Sequence, residues 1–174
     1  VPTMKSLSTV IGAALLALSV SAMAEDAAKP AAAAPAATAA AAPMEMGTEA
    51  EAQAMSEKAA KLVDEKGEAA FETFKAKDGG FLSKDLYVFC MDTKGKMLSH
   101  ALKQELVGKD MLAFDKYGDK PFEKMVATAT SAEGKGWVDY KWPLPGGTEP
   151  QDKKSYVIKN SKGFLCGVGA YVKK

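Results

Sequence analysis

Between Met55 and Phe74 apolar residues return every three or four positions, at Met55, Ala59, Leu62, Val63, Ala70, Phe71 and Phe74, with Glu and Lys filling the rest. That period predicts one long amphipathic helix whose apolar stripe packs against a second layer. Thr48, followed three residues on by Glu51, has the form of a capping box and sets the helix start. Gly67 is where the helix divides, and the glycines of "KDGGF" end it. The pattern then changes to period two. In "DLYVFCMDTKGKMLSHAL" two β-prone runs flank a polar, Gly-containing link from Asp92 to Lys96 that suits a hairpin. Turn signals at Gly108 and Gly118, then Pro121 ahead of Phe122, Met125, Val126 and Ala129, predict a short helix, a loop and a second helix. Three further strands are predicted, Gly136 to Trp142, Lys154 to Lys159 and Phe164 to Val172. This order is an α+β plan: an antiparallel sheet with the long N-terminal helix on one face and the middle helices and loops on the other.

A different kind of sequence precedes this. Lys5, an apolar run from Leu7 to Val20 and the small-residue stretch "SAMA" match a secretory signal peptide cut after Ala24. The alternative is an uncleaved anchor, since the run is close to the ~18-residue lower limit for a membrane span. Between Ala27 and Pro43 the chain is almost all Ala with three Pro, which buries no core and reads as a disordered spacer. The expected organisation is a signal peptide over 1–24, an Ala/Pro-rich linker over 25–47 and one domain over 48–174, exported to the periplasm with no second membrane crossing.

Composition narrows the chemistry. The 174-residue chain is 47% hydrophobic with a formal net charge of +1, and it contains no Arg, so neither a basic footprint nor bidentate base readout marks a nucleic-acid partner. His100 is the only histidine and Cys90 and Cys166 lie far apart, which leaves no metal-site spacing, no haem attachment motif and no glycine-rich nucleotide loop. No cofactor is expected. A Cys90 and His100 pair across the first hairpin is the one enzymatic reading, but a thiol inside an apolar strand is usually inert packing, and the chain is read as non-catalytic. In an oxidising compartment the two cysteines either form a bridge between the first and last strands, if these are neighbours, or remain small buried hydrophobes.

The stretch "GWVDYKWPLPGGTEPQDKKSYVIKN" carries both tryptophans and two of the five tyrosines. Strand alternation puts Val138, Tyr140 and Trp142 on one face, with Trp137, Asp139 and Lys141 on the other; on the following strand Lys154, Tyr156 and Ile158 share a face. If the Tyr140/Trp142 and Lys154/Tyr156 faces coincide, flat apolar walls, two phenol hydroxyls and a cation meet, which suits a small carboxylate. Otherwise these are ordinary sheet core, and Lys154 reaches solvent along its own stem.

Taken in order, "DLYVFCMDTKGKMLSHALKQELVGKDM", "YGDKPF", "GWVDYKWPLP", "KKSYVIKN" and "GFLCGVGAYV" resemble the single Cache sensor domain of bacterial chemoreceptors and sensor kinases, over roughly Met55 to Lys174. The resemblance implies a PAS-like α+β fold, a long N-terminal helix on a five-stranded antiparallel sheet with the ligand pocket on the other face. It implies a small organic carboxylate as ligand, of the acetate, propionate, lactate or pyruvate class. The pocket would draw on Tyr140 and Trp142, Lys154 and Tyr156, His100, and Tyr87 and Phe89, with Trp137 under the helix and Pro143 to Lys153 as a rim or lid. The chain departs from the family at Ala101, where Pro often follows the histidine, and at Cys90 and Cys166, where aliphatic residues are usual. Family receptors continue into a second membrane helix and a cytoplasmic output domain. With the sequence ending at Lys174, the expectation is a stand-alone exported sensor that buffers its acid or presents it to a membrane receptor or sensor kinase. The alternative is a non-catalytic interaction module with a vestigial pocket.

Overall fold

The computed structural model describes residues 44–172; the expected signal peptide and the Ala/Pro-rich stretch through Pro43 lie outside the described residues. Helix α1 (Glu49–Lys66) starts at a complete capping box, in which the Glu51 N–H donates to Thr48 Oγ1 (3.2 Å) and the Thr48 N–H donates to Glu51 Oε2 (2.8 Å). Its last turn closes at Gly67, where φ is +61° and the N–H returns to the Val63 carbonyl. A single 3₁₀ turn follows, and then the short helix α2 (Ala70–Lys75), so the division expected at Gly67 is present.

Six strands follow: β1 (Leu82–Ser83), β2 (Leu86–Asp92), β3 (Met97–His100), β4 (Lys135–Pro143), β5 (Pro150–Lys159) and β6 (Phe164–Tyr171), with α3 (Pro121–Ala129) between β3 and β4. The sheet order is β1-β2-β6-β5-β4, and β3 also pairs with β2; every pairing is antiparallel. Three expectations need correction. Among the described residues there are six strands rather than five, because Leu82 and Ser83, just ahead of β2, pair with its start. The first middle helix is only a 3₁₀ turn, Gln104–Leu106. Strand β5 begins at Pro150, ahead of Lys154, and much of the expected loop from Pro143 to Lys153 is therefore strand.

The sheet separates two cores. Against one face lies α1, whose buried residues Ala52, Ser56, Ala59, Ala60 and Val63 are small enough to let the helix approach closely. Ser56 uses that closeness: its hydroxyl donates to the Tyr156 carbonyl (2.5 Å) and accepts from the Val168 N–H (3.1 Å), so a helix side chain bridges paired positions of β5 and β6. On this face Cys90 and Cys166 stand directly opposite each other on β2 and β6 and are joined by a disulfide. Trp137 packs here too, as expected. Against the other face lies α3, whose Phe122, Met125 and Ala129 pack on Phe89, Val138, Tyr140, Trp142 and Val157.

Candidate ligand-binding site

Strand register decides which side chains meet on the α3 face. Directly opposed residues of an antiparallel pair share a face. Tyr140 is opposed by Lys153 and Val138 by Ser155, whereas Asp139 is opposed by Lys154 and Trp137 by Tyr156. The structure therefore brings Tyr140, Trp142, His100, Tyr87 and Phe89 together and leaves Lys154 and Tyr156 on the α1 side. There the Lys154 Nζ lies 3.2 Å from Glu49 Oε2 and 5.5 Å from the Trp137 ring, and the Tyr156 ring packs 5.0 Å from Trp137. The expectation for these two residues fails by one position of a period-two pattern, which moves a side chain from one face to the other. Lys153 takes the place expected of Lys154.

The room for Lys153 is made on β6. A Cβ at Gly169 would stand 2.2 Å from Ser155 Oγ and 2.6 Å from Lys153 Cε, and one at Gly167 would meet Phe89 and Val157 at 2.8 Å. Two missing side chains thus let the lysine stem and the Phe89 ring lie flat on the strand. Only 1% of Lys153 is exposed. Its Nζ donates to the Tyr87 hydroxyl (2.9 Å) and lies 4.0 Å from the Tyr87 ring centroid and 4.4 Å from that of Tyr171. Among the described residues no carboxylate stands within ion-pairing distance of it. The buried Asp85 attracts it from further off; one Asp85 oxygen accepts from the Gly47 N–H and the other has no partner. Burial lowers the Lys153 ammonium from its usual range to about 7, and Asp85 only partly opposes this.

His100 is fixed by its own loop. Its Nδ1 accepts from the backbone N–H groups of Lys103 (3.0 Å) and Leu102 (3.3 Å), which leaves the proton on Nε2. Burial first, then the charges of Lys153 and Lys103, hold its pKa down at about 3, so the imidazole is neutral at physiological pH. The ring sits 5.0 Å from Tyr87 and 6.4 Å from both Phe89 and Trp142. Trp142 is the centre of the aromatic cluster, with Phe114 at 5.5 Å and Tyr117 and Phe122 at 5.7 Å. Its buried Nε1–H has no hydrogen-bond partner among the described residues, although it lies near enough to Tyr87 to favour the phenolate slightly. The Tyr140 hydroxyl pairs with Ser155 Oγ (2.8 Å), and the Tyr171 hydroxyl donates to the Pro143 carbonyl (2.6 Å). Burial raises all three phenols, Tyr87, Tyr140 and Tyr171, above their ordinary value, so each stays a neutral donor.

A cavity of about 220 Å³ opens at this cluster, with Tyr87, His100 and Lys103 on one wall and Pro143, Pro145 and Gly146 on the other. The β4–β5 turn thus borders the cavity as a rim. Lys153 stands one layer behind, joined to the cavity wall through Tyr87. Since Tyr87 Oη accepts from Lys153, its own O–H remains a donor that rotates toward whatever acceptor is near. The set comprises a neutral imidazole N–H, a phenol O–H polarised by an ammonium, and a buried indole N–H. It is rich in donors and poor in acceptors, the chemistry of an anion site. Sequence reasoning missed Lys153, Tyr171, Ser155, Asp85 and Lys103.

The domain is thus a helix-flanked antiparallel sheet with a small cavity on the face away from its N-terminal helix. The family model of the Cache domain matches residues 48–174, and the chain belongs to that family. It is 37% identical over 90 residues to the methyl-accepting chemotaxis protein McpP of Pseudomonas putida, a match covering 51% of this chain and 16% of that receptor's length. Among solved structures it is similar to a Cache chemosensory domain described for carboxylic acid recognition, at 28% identity and a TM-score of 0.61, over 71% of this chain and 92% of the other. It is also similar to the periplasmic sensor domain of a chemotaxis protein, at 31% identity and a TM-score of 0.55, over 71% of this chain and 90% of the other. A methyl-accepting chemotaxis protein from Vibrio parahaemolyticus shares the fold at 21% identity and a TM-score of 0.60, over 71% of this chain and 88% of the other. The chain is thus a Cache domain, and it spans only a small part of the length of the curated receptor it matches. Among the described residues no helix is long and apolar enough to cross a membrane, and no cluster of His, Cys, Asp and Glu could hold a metal ion.

Proposed function

We propose that this domain senses a short organic carboxylate of the acetate, propionate, lactate or pyruvate class and reports its occupancy to a membrane receptor or sensor kinase. The observation that carries the reading is Lys153, a fully buried ammonium whose one direct polar partner among the described residues is a neutral phenol. An uncompensated buried charge is costly, and a bound carboxylate supplies the missing counter-charge. In the cavity the acid would accept from His100 Nε2–H and the Tyr87 hydroxyl, with Lys153 behind Tyr87 and Leu102, Pro143 and Pro145 around its carbon chain. The roughly 220 Å³ of space favours two- to four-carbon acids over larger ones. The similar Cache domain described for carboxylic acid recognition supports the same chemistry.

Thermal melting and titration calorimetry against a panel of two- to four-carbon acids test the proposal. A ligand at about 100 times its Kd should stabilise the native state by about 2.7 kcal/mol. The shift should vanish in Lys153→Ala and persist in Lys154→Ala. No shift with any acid on the unmodified protein would overturn the reading.

A further inference from the structure

Lys153 meets titratable or charged groups on every side. From β2 and the turn before it come Tyr87 and Asp85, from β6 Tyr171, from β4 Tyr140, and from β3 His100, whose far side faces Lys103. Beyond its own strand's Ser155, Asp119, Asp139 and Asp152 border an open cleft beside it; Asp119 Oδ2 pairs with Lys124 (2.9 Å) while its Oδ1 is buried with no partner among the described residues, and Asp152 pairs with Lys141 (2.5 Å). The tyrosines stay protonated and His100 stays neutral across the neutral range. Lys153 is then the group of this cluster whose proton is free to come and go near neutrality. Among the described residues no carboxylate reaches ion-pairing distance of Lys153, so the empty site offers the ammonium little reason to remain charged.

We propose that the site takes up its carboxylate together with one proton, which lodges on Lys153, so that occupancy follows the product of anion and proton rather than the anion alone. This rests on the carboxylate reading above. The balance is simple: a solvent proton forms the third N–H bond on the neutral amine, the anion enters the cavity, and no other bond forms or breaks. The positive charge created on Lys153 is matched by the negative charge that arrives, and the Tyr87 hydroxyl links the two. With the bound acid holding the proton in place, binding weakens on the alkaline side of the empty site's titration, which lies at about 7.

Calorimetry with propionate, an anion throughout the range, decides it. On the full chain the apparent Kd at pH 8.5 should be about 30-fold weaker than at pH 6.0, the ratio of ammonium populations for a group titrating near 7. At pH 8.5 the binding heat in Tris and in phosphate should differ by close to one full buffer ionisation heat; at pH 6.0 the two should nearly agree. Lys153→Met should bind weakly with no buffer dependence at either pH. Affinities within threefold of each other at the two pH values, with buffer-independent heats, would overturn the proton coupling while leaving the carboxylate site intact. Absence of any heat with propionate, acetate, lactate or pyruvate at pH 6.0 would overturn both.

Discussion

The two faces of the sheet are built from the same strands and do opposite things. Under α1 the contacts are apolar and permanent: Val88, Cys90, Cys166 and Val168 pack on Ala52, Ala59 and Val63, a disulfide crosses β2 to β6, and the one buried helix hydroxyl, Ser56, is fully paired. Under α3 the strands present His100, Lys153, Ser155 and three phenols among the aromatic rings, with donors left over. Adjacent lysines make the contrast sharpest. Lys154 reaches toward the surface and pairs with Glu49; Lys153, one residue earlier, is sealed in, and burial lowers its ammonium to about 7. Alternation along a strand suffices to place a structural residue and a functional one side by side in sequence and on opposite sides of the protein. The α1 face holds the sheet together so that the α3 face can carry a buried amine and empty space.

That division is open to breaking. Replacing both cysteines with Ala removes a cross-link between residues 76 positions apart and should cost about 2–5 kcal/mol of stability, read from denaturant unfolding. Acid affinity measured well below the new melting temperature should stay within about threefold. A large loss of affinity would mean that the two faces are not independent.

A smaller effect of opposite sign is expected at Lys153. An unfolded lysine titrates at 10.5 and the folded one at about 7, so between those values the unfolded chain holds a proton that the folded one lacks, and rising pH stabilises the empty protein. Well below pH 7 both states are charged and the full burial cost, on the order of 5 kcal/mol, is present. Lys153→Met should therefore raise the stability of the empty domain at pH 6.5 by about 2–4 kcal/mol, after allowing for the lost ring contacts of ~1–2 kcal/mol. The gain should shrink as pH rises toward 9.5. Melting curves of both proteins across that range check it; a constant difference would show that Lys153 is charged throughout.

What was legible in the sequence divides along the same line. Helix α1 was readable because its signals are local: the Thr48/Glu51 box, the apolar period and Gly67 all act within a few residues. The faces of β4 were readable from alternation alone. The face of β5 was not, because two strands' faces are related by the register of their hairpin. That register depends on where β5 begins, and Pro150, Gln151, Asp152 and Lys153 look like loop. Pro150 is tolerated there because it sits at the strand's end opposite Pro143. One signal was present and unused. Gly167 and Gly169, alternating in an otherwise apolar strand, mark a face where other side chains approach closely. Their cross-strand partners, Val157 and Ser155, would have put Lys153 on the pocket side. The stretch "KKSYVIKN", one of those that carry the family resemblance, itself opens on Lys153. Tyr171 and Asp85 carried no comparable mark, since their roles depend on contacts across the sheet.

The smallest expected effect tests the face assignment directly. Lys154 pairs with Glu49 at 3.2 Å, with the two side chains 27% and 50% exposed, and an ion pair this open to water and salt contributes less than about 1 kcal/mol. Lys154→Ala should change stability by no more than that, less still in 0.5 M salt, and should leave acid affinity and its pH dependence alone, because the side chain lies across the sheet from the cavity. Lys153→Ala should abolish both. The two substitutions are chemically identical and one residue apart, so general loss of positive charge, or a nonspecific attraction of anions to the surface, would affect them equally. Only a site on the α3 face separates them, and equal losses of affinity in the two proteins would remove the register-based account of the pocket.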